Sequence, residues 1–402
     1  MIFAIIGGML ALDTAWWVLS FRFVSRRPWR LFSSVFIGAQ IVGLLAIVVG
    51  RSGHLGRMGH WDRVLPKFAT ASIYIWHFLG LAIVLLVGTG AFSVIIYRKI
   101  RLLVSSRQNS PPANDPGAEG EGLSRREFLG IAAVVAPPLF TLTLTGLGMA
   151  QLNQFRIRRF ELALEGLPRQ LDGTTIAQVS DIHIGRFTSG KVLGRIAQAT
   201  NELRADLVLL TGDLIDAALA DLSEGINLVR KLEPRFGLCM IEGNHDLIEN
   251  GAEFERRVRA SGIPFLLNEA TRLEVRGHPV QLLGVRWDHD RSKVRGVQIA
   301  ESVREVVAQR EGDAFPILMA HHPHAFDAAA EHGLPLTLSG HTHGGQLMLN
   351  ERVGFGPAMF RYWSGLYARG KSRMIVSNGV GNWFPVRVNA PAEIIHLTLR
   401  ST

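Results

Sequence analysis

The chain has 402 residues, enough for two or three domains of ordinary size, and 48% of them are apolar, a high share for a purely soluble protein. The formal net charge of +9 is compatible with nucleic-acid binding, but basic loops between membrane spans explain it better, because cytoplasmic loops are enriched in lysine and arginine. The single cysteine, Cys239, excludes an intrachain disulfide and lies in an apolar run typical of a protein core.

The amino-terminal third carries the apolar excess and is predicted to be an all-α transmembrane region, residues 1–104. The first apolar stretch has no basic residues ahead of it and no clear cleavage site, which is typical of a spanning helix rather than a signal peptide. Four basic residues lie within the nine positions of 22–30 and six lie in 98–126, against four in 51–67, so the segments 22–30 and 98–126 are expected in the cytoplasm and the amino terminus outside. The predicted spans are about residues 1–20, 31–50 and 69–97.

Two ionisable residues, Asp13 and His77, fall inside these predicted spans. Ionisable residues within a membrane mark functional pathways in some proteins. Asp13 could instead lie near a helix end or be paired within the helix bundle. The sequence leaves both interpretations open.

Two segments connect the predicted spans to the rest of the chain. Residues 105–123 are rich in Pro, Gly, Ala, Asn and Glu, which predicts a flexible linker. Residues 124–150 begin with Ser124-Arg125-Arg126-Glu127-Phe128-Leu129 and continue as an apolar run. This segment resembles a twin-arginine export signal, Ser-Arg-Arg-x-Phe-Leu, and equally fits a fourth span with two cytoplasmic arginines. Both interpretations place the following domain outside the cytoplasm.

Residues 151–402 have the pattern of an α/β domain, in which short apolar runs alternate with amphipathic stretches. Five of the apolar runs end directly in a polar cluster of Asp, Asn and His side chains. Because parallel strands end at the same edge of a sheet, we expect these clusters to converge on one edge. The clusters contain Asp181, Asp213, Asn244, His321 and His341.

The side-chain types in these clusters indicate a metal centre. They supply carboxylate and amide oxygens and imidazole nitrogens without a thiolate, a set that suits Mn²⁺, Fe or Zn²⁺ in a two-metal centre rather than structural zinc. A single histidine of this kind would be better explained as a core or surface residue. That explanation does not account for the whole set, in which each cluster follows an apolar run. The candidate ligands are Asp181, His183, Asp213, Asn244, His321, His341 and His343.

The order of these blocks resembles the calcineurin-like metallophosphoesterase superfamily, whose pattern is Asp-x-His, Gly-Asp-x-x-Asp, Gly-Asn-His-Asp/Glu, His and Gly-His-x-His. The resemblance covers about residues 155–400 and implies a catalytic domain folded as an α/β/β/α sandwich. The most similar subgroup is that of bacterial membrane-associated or exported phosphoesterases. The matching blocks are Asp181-Ile182-His183, Gly212-Asp213-Leu214-Ile215-Asp216, Gly243-Asn244-His245-Asp246, His321 and Gly340-His341-Thr342-His343.

The resemblance also implies roles for these residues. His321 is preferred to His322 as a ligand because the family has His-x-Pro spacing, which ends here at Pro323. His245 is expected to meet the substrate as a proton donor. Asp216 would either orient His245 or cap the segment after its strand. The ligand sets for two divalent ions would be Asp181, His183 and His343 for one, Asn244, His321 and His341 for the other, and Asp213 as the bridge.

The implied activity is hydrolysis of a phosphodiester, phosphomonoester or pyrophosphate by a hydroxide that the two metals activate. Ala217-Ala218 follow Asp216 where protein serine/threonine phosphatases of this superfamily carry Arg-Gly, so that subclass is not expected. A membrane anchor favours a lipid-linked substrate over a water-soluble one. One alternative is UDP-2,3-diacylglucosamine-type pyrophosphate hydrolysis in lipid A metabolism, although that reaction is cytoplasmic and the domain is predicted outside.

Two further alternatives concern binding rather than the reaction. A non-catalytic membrane sensor of phosphorylated ligands would be expected to have lost a metal ligand or His245, and none is lost. No basic and aromatic stripe indicates nucleic acid, so the expected partners are a phosphorylated small molecule or lipid and the bilayer. The aromatic residues in 355–367 fit either a rim that touches lipid or substrate, or an ordinary loop packed on the core.

Overall fold

The computed structural model describes residues 2–51, 65–105, 125–287, 295–350 and 352–402. The chain divides into two compact units, Met1–Met149 and Ala150–Thr402. Apart from Ser105, the predicted linker lies outside the described residues, and so does Ser124 of the twin-arginine-like segment.

The regular elements described in the amino-terminal unit are helices. By length and composition, four helical segments there could cross a membrane. The last helix runs through Pro137 and Pro138 without ending at either. The helices are α1 (Ile2–Phe23), α2 (Arg27–Arg51), α3 (Lys67–Ile75), α4 (Leu81–Ser105) and α5 (Arg125–Gln151), with a π-helical turn, Trp76–Gly80, between α3 and α4.

Asp13 and His77 pair with each other inside this unit, although 64 residues separate them. His77 Nε2 lies 3.1 Å from Asp13 Oδ2, and Trp76 Nε1 donates to Asp13 Oδ1 at 2.7 Å. His77 Nδ1 lies 2.8 Å from the carbonyl oxygen of Ile73. The π-helical turn therefore presents both Trp76 and His77 to the carboxylate, and the interpretation of a pair within the bundle is the one that the geometry supports.

The carboxy-terminal unit contains two mixed sheets and a short hairpin. The first sheet has the strand order β1-β13-β2-β3-β4, and the second has the order β11-β12-β8-β7-β6-β5. In chain order the strands are β1 (Arg156–Leu164), β2 (Thr175–Val179), β3 (Leu207–Thr211), β4 (Gly237–Ile241), β5 (Glu269–Val275), β6 (His278–Gly284), β7 (Phe315–Met319), β8 (Leu336–Ser339), β9 (Met348–Asn350), β10 (Val353–Gly354), β11 (Gly365–Arg369), β12 (Ser372–Val376) and β13 (Glu393–Ser401).

Helices cover the outer faces of both sheets, which gives the predicted α/β/β/α sandwich. In β3, Val208 and Leu210 pack against the helical layer, while Leu207 and Leu209 pack between the sheets. A strand covered on both faces needs apolar residues at every position, which is why this segment is a continuous apolar run. The helices are α6 (Lys191–Glu202), α7 (Leu222–Val229) and α8 (Gly251–Ala260) on the first sheet, α9 (Arg295–Val307) and α10 (Ala325–Glu331) on the second, and α11 (Phe355–Met359) after the hairpin.

The expectation that all five polar clusters share one sheet edge is wrong. Strands β2, β3 and β4 are parallel neighbours in the first sheet, whereas β7 and β8 are parallel neighbours in the second. Each group ends at the carboxyl edge of its own sheet, and the two edges meet at the same end of the sandwich. Strand ends in a sequence do not reveal which sheet a strand joins, so the residues alone could not separate the two groups.

Candidate metal centre

The site residues lie on tight turns directly after the strands. Several of them adopt a left-handed backbone, which costs a residue other than glycine about 1–3 kcal/mol. Backbone hydrogen bonds between the turns hold this conformation: Asp181 N donates to Gly212 O and His183 N donates to Asp213 O, both at 3.0 Å. The left-handed residues of the site are Asp181 (φ 51°), His183 (φ 49°), Asp213 (φ 54°), His341 (φ 73°) and His343 (φ 49°).

Two positions in the motif blocks require glycine because an acidic side chain lies where a Cβ atom would be. A Cβ on Gly243 would collide with the carboxylate of Asp213, and a Cβ on Gly340 would collide with the carboxylate of Asp181. Neither contact can be relieved by turning a long side chain, because both carboxylates are fully enclosed. The glycines in Gly-Asn-His-Asp and Gly-His-x-His thus make room for the acidic groups of neighbouring turns.

The first candidate cluster consists of Asp181, His183 and His343, all buried. The Nε2 atoms of His183 and His343 face each other at 2.9 Å. His343 Nε2 lies 3.3 Å from Asp181 Oδ1, and His183 Nε2 lies 3.9 Å from the same oxygen. Three donor atoms therefore converge on one point, which is the arrangement that a metal ion requires.

The second candidate cluster consists of Asp213, His321 and His341. His321 Nε2 lies 3.1 Å from Asp213 Oδ2, while its Nδ1 lies 2.7 Å from the carbonyl oxygen of Thr211. A ring whose Nδ1 hydrogen bonds to a carbonyl leaves Nε2 available to a metal. His322, which the sequence did not favour as a ligand, is not in this cluster. Its ring centroid lies 4.9 Å from that of His341, and the two rings are tilted.

Asp213 of the second cluster also borders the first cluster. Its Oδ2 is 3.1 Å from His321 Nε2 and 3.5 Å from His183 Nε2, which belongs to the first cluster. The neighbouring Asn244 has its Oδ1 buried with no hydrogen-bond partner in the described part of the chain. A buried carbonyl oxygen without a donor is costly unless a cation satisfies it.

The two buried carboxylates of the clusters attract positive charge. Burial would raise the pKa of Asp181, but His343 and His183 hold that pKa below its ordinary value; in the same way His321 and His183 hold the pKa of Asp213 well below its ordinary value against burial. The same attraction overcomes burial at His183 and His321 and raises their pKa to about 10 and about 9.

The two remaining histidines behave in the opposite way. Burial lowers the pKa of His341 to about 3 and the pKa of His343 well below its ordinary value. Two buried carboxylates of lowered pKa among four imidazole rings form a donor set for divalent cations, which would take the place of protons in the site. The residues present therefore fit a divalent metal centre.

His245 lies at the rim of the clusters and is partly exposed. Its ring centroid is 4.5 Å from that of His183, and its Nδ1 lies 2.6 Å from the backbone carbonyl of Asp216 and 3.3 Å from Asp216 Oδ1. The Asp216 carboxylate also lies 3.7 Å from His183 Nδ1. Asp216 does not cap the next helical turn, which begins at Leu219 without a side-chain cap, so its contacts favour the orienting role.

Sequence reasoning missed two buried residues that support the site. Asp246 accepts hydrogen bonds from the backbone of Ile215 and Gly243 at 3.0 Å and 2.9 Å, and burial raises its pKa to about 7. Arg387 places Nη2 2.8 Å from His343 Nδ1 and donates to the carbonyl of Gly381. Asp246 lies inside the Gly-Asn-His-Asp block. A lone arginine such as Arg387 belongs to no spaced motif that could have revealed it.

The segment 355–367 is partly packed on the core and partly exposed. Tyr362 is buried against Phe326, with ring centroids 5.7 Å apart, so this part packs on the core. Phe355 and Met359 are instead 48% and 68% exposed. The segment therefore carries an anchored half and an exposed apolar half.

Comparison with known proteins identifies the family. The model for calcineurin-like phosphoesterases matches residues 174–345, a range that includes all seven candidate ligands. The uncharacterized metallophosphoesterase YkuE of Bacillus subtilis is 30% identical over 295 residues, which are 70% of this chain and 99% of YkuE. This chain belongs to the calcineurin-like phosphoesterase family, whose members are metal-dependent phosphoester hydrolases.

Two other similar proteins match a smaller share of this chain. A transmembrane protein with a metallophosphoesterase domain from Danio rerio is 30% identical over 249 residues, which are 60% of this chain and 56% of that protein. A solved structure of an archaeal phosphodiesterase is 12% identical with a TM-score of 0.29, covering 52% of this chain and 85% of that one.

Proposed function

We propose that this protein is a membrane-anchored phosphoesterase that hydrolyses phosphate esters with two divalent metal ions. The observation that carries the proposal is that Asp213, a member of the second cluster, also lies beside His183 of the first, with His245 at the rim of both. Ions held there would supply Lewis acidity to the phosphate oxygens and lower the pKa of a nucleophilic water. Asp181, His183 and His343 would hold one ion, and Asn244, His321 and His341 the other.

The chain's own residues would perform the proton transfer. The carbonyl of Asp216 accepts from His245 Nδ1, which turns the opposite ring nitrogen away from that carbonyl. His245 in its protonated form can donate to the leaving oxygen, and donation of this kind typically contributes roughly 10²–10⁴-fold. The Asp216 carboxylate, whose pKa the two neighbouring histidines lower to about 2 against burial, stabilises the positive charge on that ring.

Chelation tests the two-metal assignment directly. Full-length protein in detergent, stripped by a chelator, is expected to lose hydrolysis of bis(p-nitrophenyl) phosphate by at least roughly 10²-fold and to regain it with Mn²⁺, Fe²⁺ or Zn²⁺. Elemental analysis is expected to show two ions per chain in the active form. Full activity with one ion per chain, or with none, would contradict the proposal.

Membrane anchoring is supported by the apolar helices and by the transmembrane relative. We place the chain as a multi-pass membrane protein with its catalytic domain outside the cytoplasm, because the basic segments 22–30 and 98–126 are the ones expected inside. The exposed Phe355 and Met359 favour a lipid-linked phosphate as the substrate.

Sidedness can be measured by proteolysis. Protease added to intact cells is expected to digest the catalytic domain, detected with an antibody to its carboxyl terminus, while a cytoplasmic marker protein remains whole. A domain that resists digestion until the cells are permeabilised would place it in the cytoplasm instead.

A further inference from the structure

Two tryptophans lie at opposite ends of the candidate metal centre. Trp383 lies at the end of the first cluster, with its ring centroid 6.0 Å from that of His245 and 6.4 Å from that of His343. Trp287 lies at the end of the second cluster, 5.0 Å from the ring of His341 and 5.5 Å from that of His321. Each indole therefore borders the histidines of a different cluster.

Both tryptophans are partly exposed and held by buried neighbours. The backbone N–H of Trp287 donates to Glu242 Oε1 at 3.1 Å, and Glu242 is fully buried. Trp383 follows Asn382, whose Oδ1 accepts from Arg387 Nε at 2.8 Å. These contacts hold the backbone beside each indole.

The end of the second cluster carries a further aromatic residue. The ring of Phe360 lies 5.8 Å from that of His341, edge to face. Trp287 also lies 5.7 Å from the ring of His322. The side of the site away from His245 therefore has an aromatic wall of its own, independent of Trp383.

Resting on the function proposed above, we infer that this site takes a phosphodiester with an apolar or aromatic group on each side of phosphorus. Trp383 contacts the leaving group, because it lies beside His245, the proposed proton donor. Trp287 contacts the group that stays on phosphorus. A phosphomonoester has one organic group and would place no organic group against Trp287.

The reaction balances as a simple hydrolysis. Water supplies the oxygen that bonds to phosphorus, and the bond between phosphorus and the leaving oxygen breaks. His245 gives its proton to that oxygen and is restored by a proton from the water. The products are an alcohol released on the Trp383 side and a phosphomonoester whose organic group lies on the Trp287 side.

Three substrates with the same leaving group test the assignment. Full-length protein in detergent, with its metal content measured, is assayed with bis(p-nitrophenyl) phosphate, methyl p-nitrophenyl phosphate and p-nitrophenyl phosphate. Trp287→Ala is expected to lower kcat/KM for the bis ester by roughly 10-fold and for the methyl ester by less than about twofold. Trp383→Ala is expected to lower kcat/KM for both diesters by roughly 10-fold, since both release p-nitrophenol.

A binding measurement separates recognition from turnover. Calorimetry is expected to show that wild-type protein binds diphenyl phosphate more tightly than dimethyl phosphate. Trp287→Ala is expected to reduce the ratio of the two dissociation constants by roughly 10-fold without a change in metal content. Trp363→Ala is the matched control, because the ring centroid of Trp363 lies 6.2 Å from that of Tyr367. This variant is expected to keep the preference for the bis ester in turnover and the preference for diphenyl phosphate in binding.

Each contrary result has a distinct meaning. If Trp287→Ala weakens the bis and methyl esters equally, or neither tryptophan matters, the inference is overturned while hydrolysis by the wild type still supports the proposed function. If the monoester is hydrolysed with the highest kcat/KM, the two-sided assignment is wrong. If the wild type holds two ions and hydrolyses none of the three, the proposed function fails and this inference with it.

Discussion

Asp213→Asn is expected to lower metal content from two ions per chain to less than one. Asparagine keeps the shape of the side chain but removes the charge, and the carboxylate lies within 3.5 Å of ligand nitrogens in both clusters. Both ions would therefore lose a charged ligand at once, and turnover is expected to fall by at least roughly 10²-fold. Elemental analysis and bis(p-nitrophenyl) phosphate hydrolysis on the same preparation measure the two effects.

The matched control for this substitution is Asp206→Asn. Asp206 is equally buried and lies immediately before β3, whereas Asp213 lies beyond its other end. Its carboxylate accepts from the backbone of Thr175 and pairs with Arg276 at 2.9 Å, away from the clusters. Two ions are expected to remain in this variant. Retention of two ions by Asp213→Asn would refute the bridging assignment.

His245→Ala is expected to have the second largest effect, and to act on turnover alone. The ring lies at the rim with its Nδ1 held by Asp216, so its removal leaves the donors of both clusters in place. Turnover is expected to fall by roughly 10² or more because the leaving oxygen loses its proton donor. The loss is expected to be larger for an alkyl leaving group than for p-nitrophenol, since the weaker acid needs the proton more.

The dependence on the leaving group distinguishes proton donation from a structural role. His332→Ala, at an exposed position after α10, serves as the control and is expected to retain activity within about twofold. If His245→Ala loses metal and rate in parallel, or loses the same factor for every leaving group, the ring is not the proton donor.

The candidate ligands could be picked out in the sequence because the polar clusters that contain them follow apolar runs. Asp213 ends the run of β3 and His321 ends the run of β7, and the structure places the two side chains 3.1 Å apart. What the runs do not encode is strand pairing. Both strands were expected at one edge of a single sheet, and they belong to two sheets, because periodicity reports which faces are buried and not which strands are neighbours.

Contacts over long sequence separations escaped prediction for the same reason. Arg387 reaches His343 across 44 residues from a loop without regular structure, and Asp13 reaches His77 across 64. Trp287 and Trp383 approach the site from two different loops. A single arginine or tryptophan has no recurring spacing, so only the folded chain shows that it borders the centre.

The candidate ligands come from both sheets, so metal ions bound to them would link the two layers. Asp181 and His183 follow a strand of the first sheet, while His343 follows a strand of the second. An ion bound to all three would cross-link the halves of the sandwich in a chain whose single cysteine cannot form a disulfide within it. Ligand that binds only the folded state adds about 2.7 kcal/mol at 100 times its Kd. Metal supply would thereby set how long the enzyme survives as well as how fast it turns over.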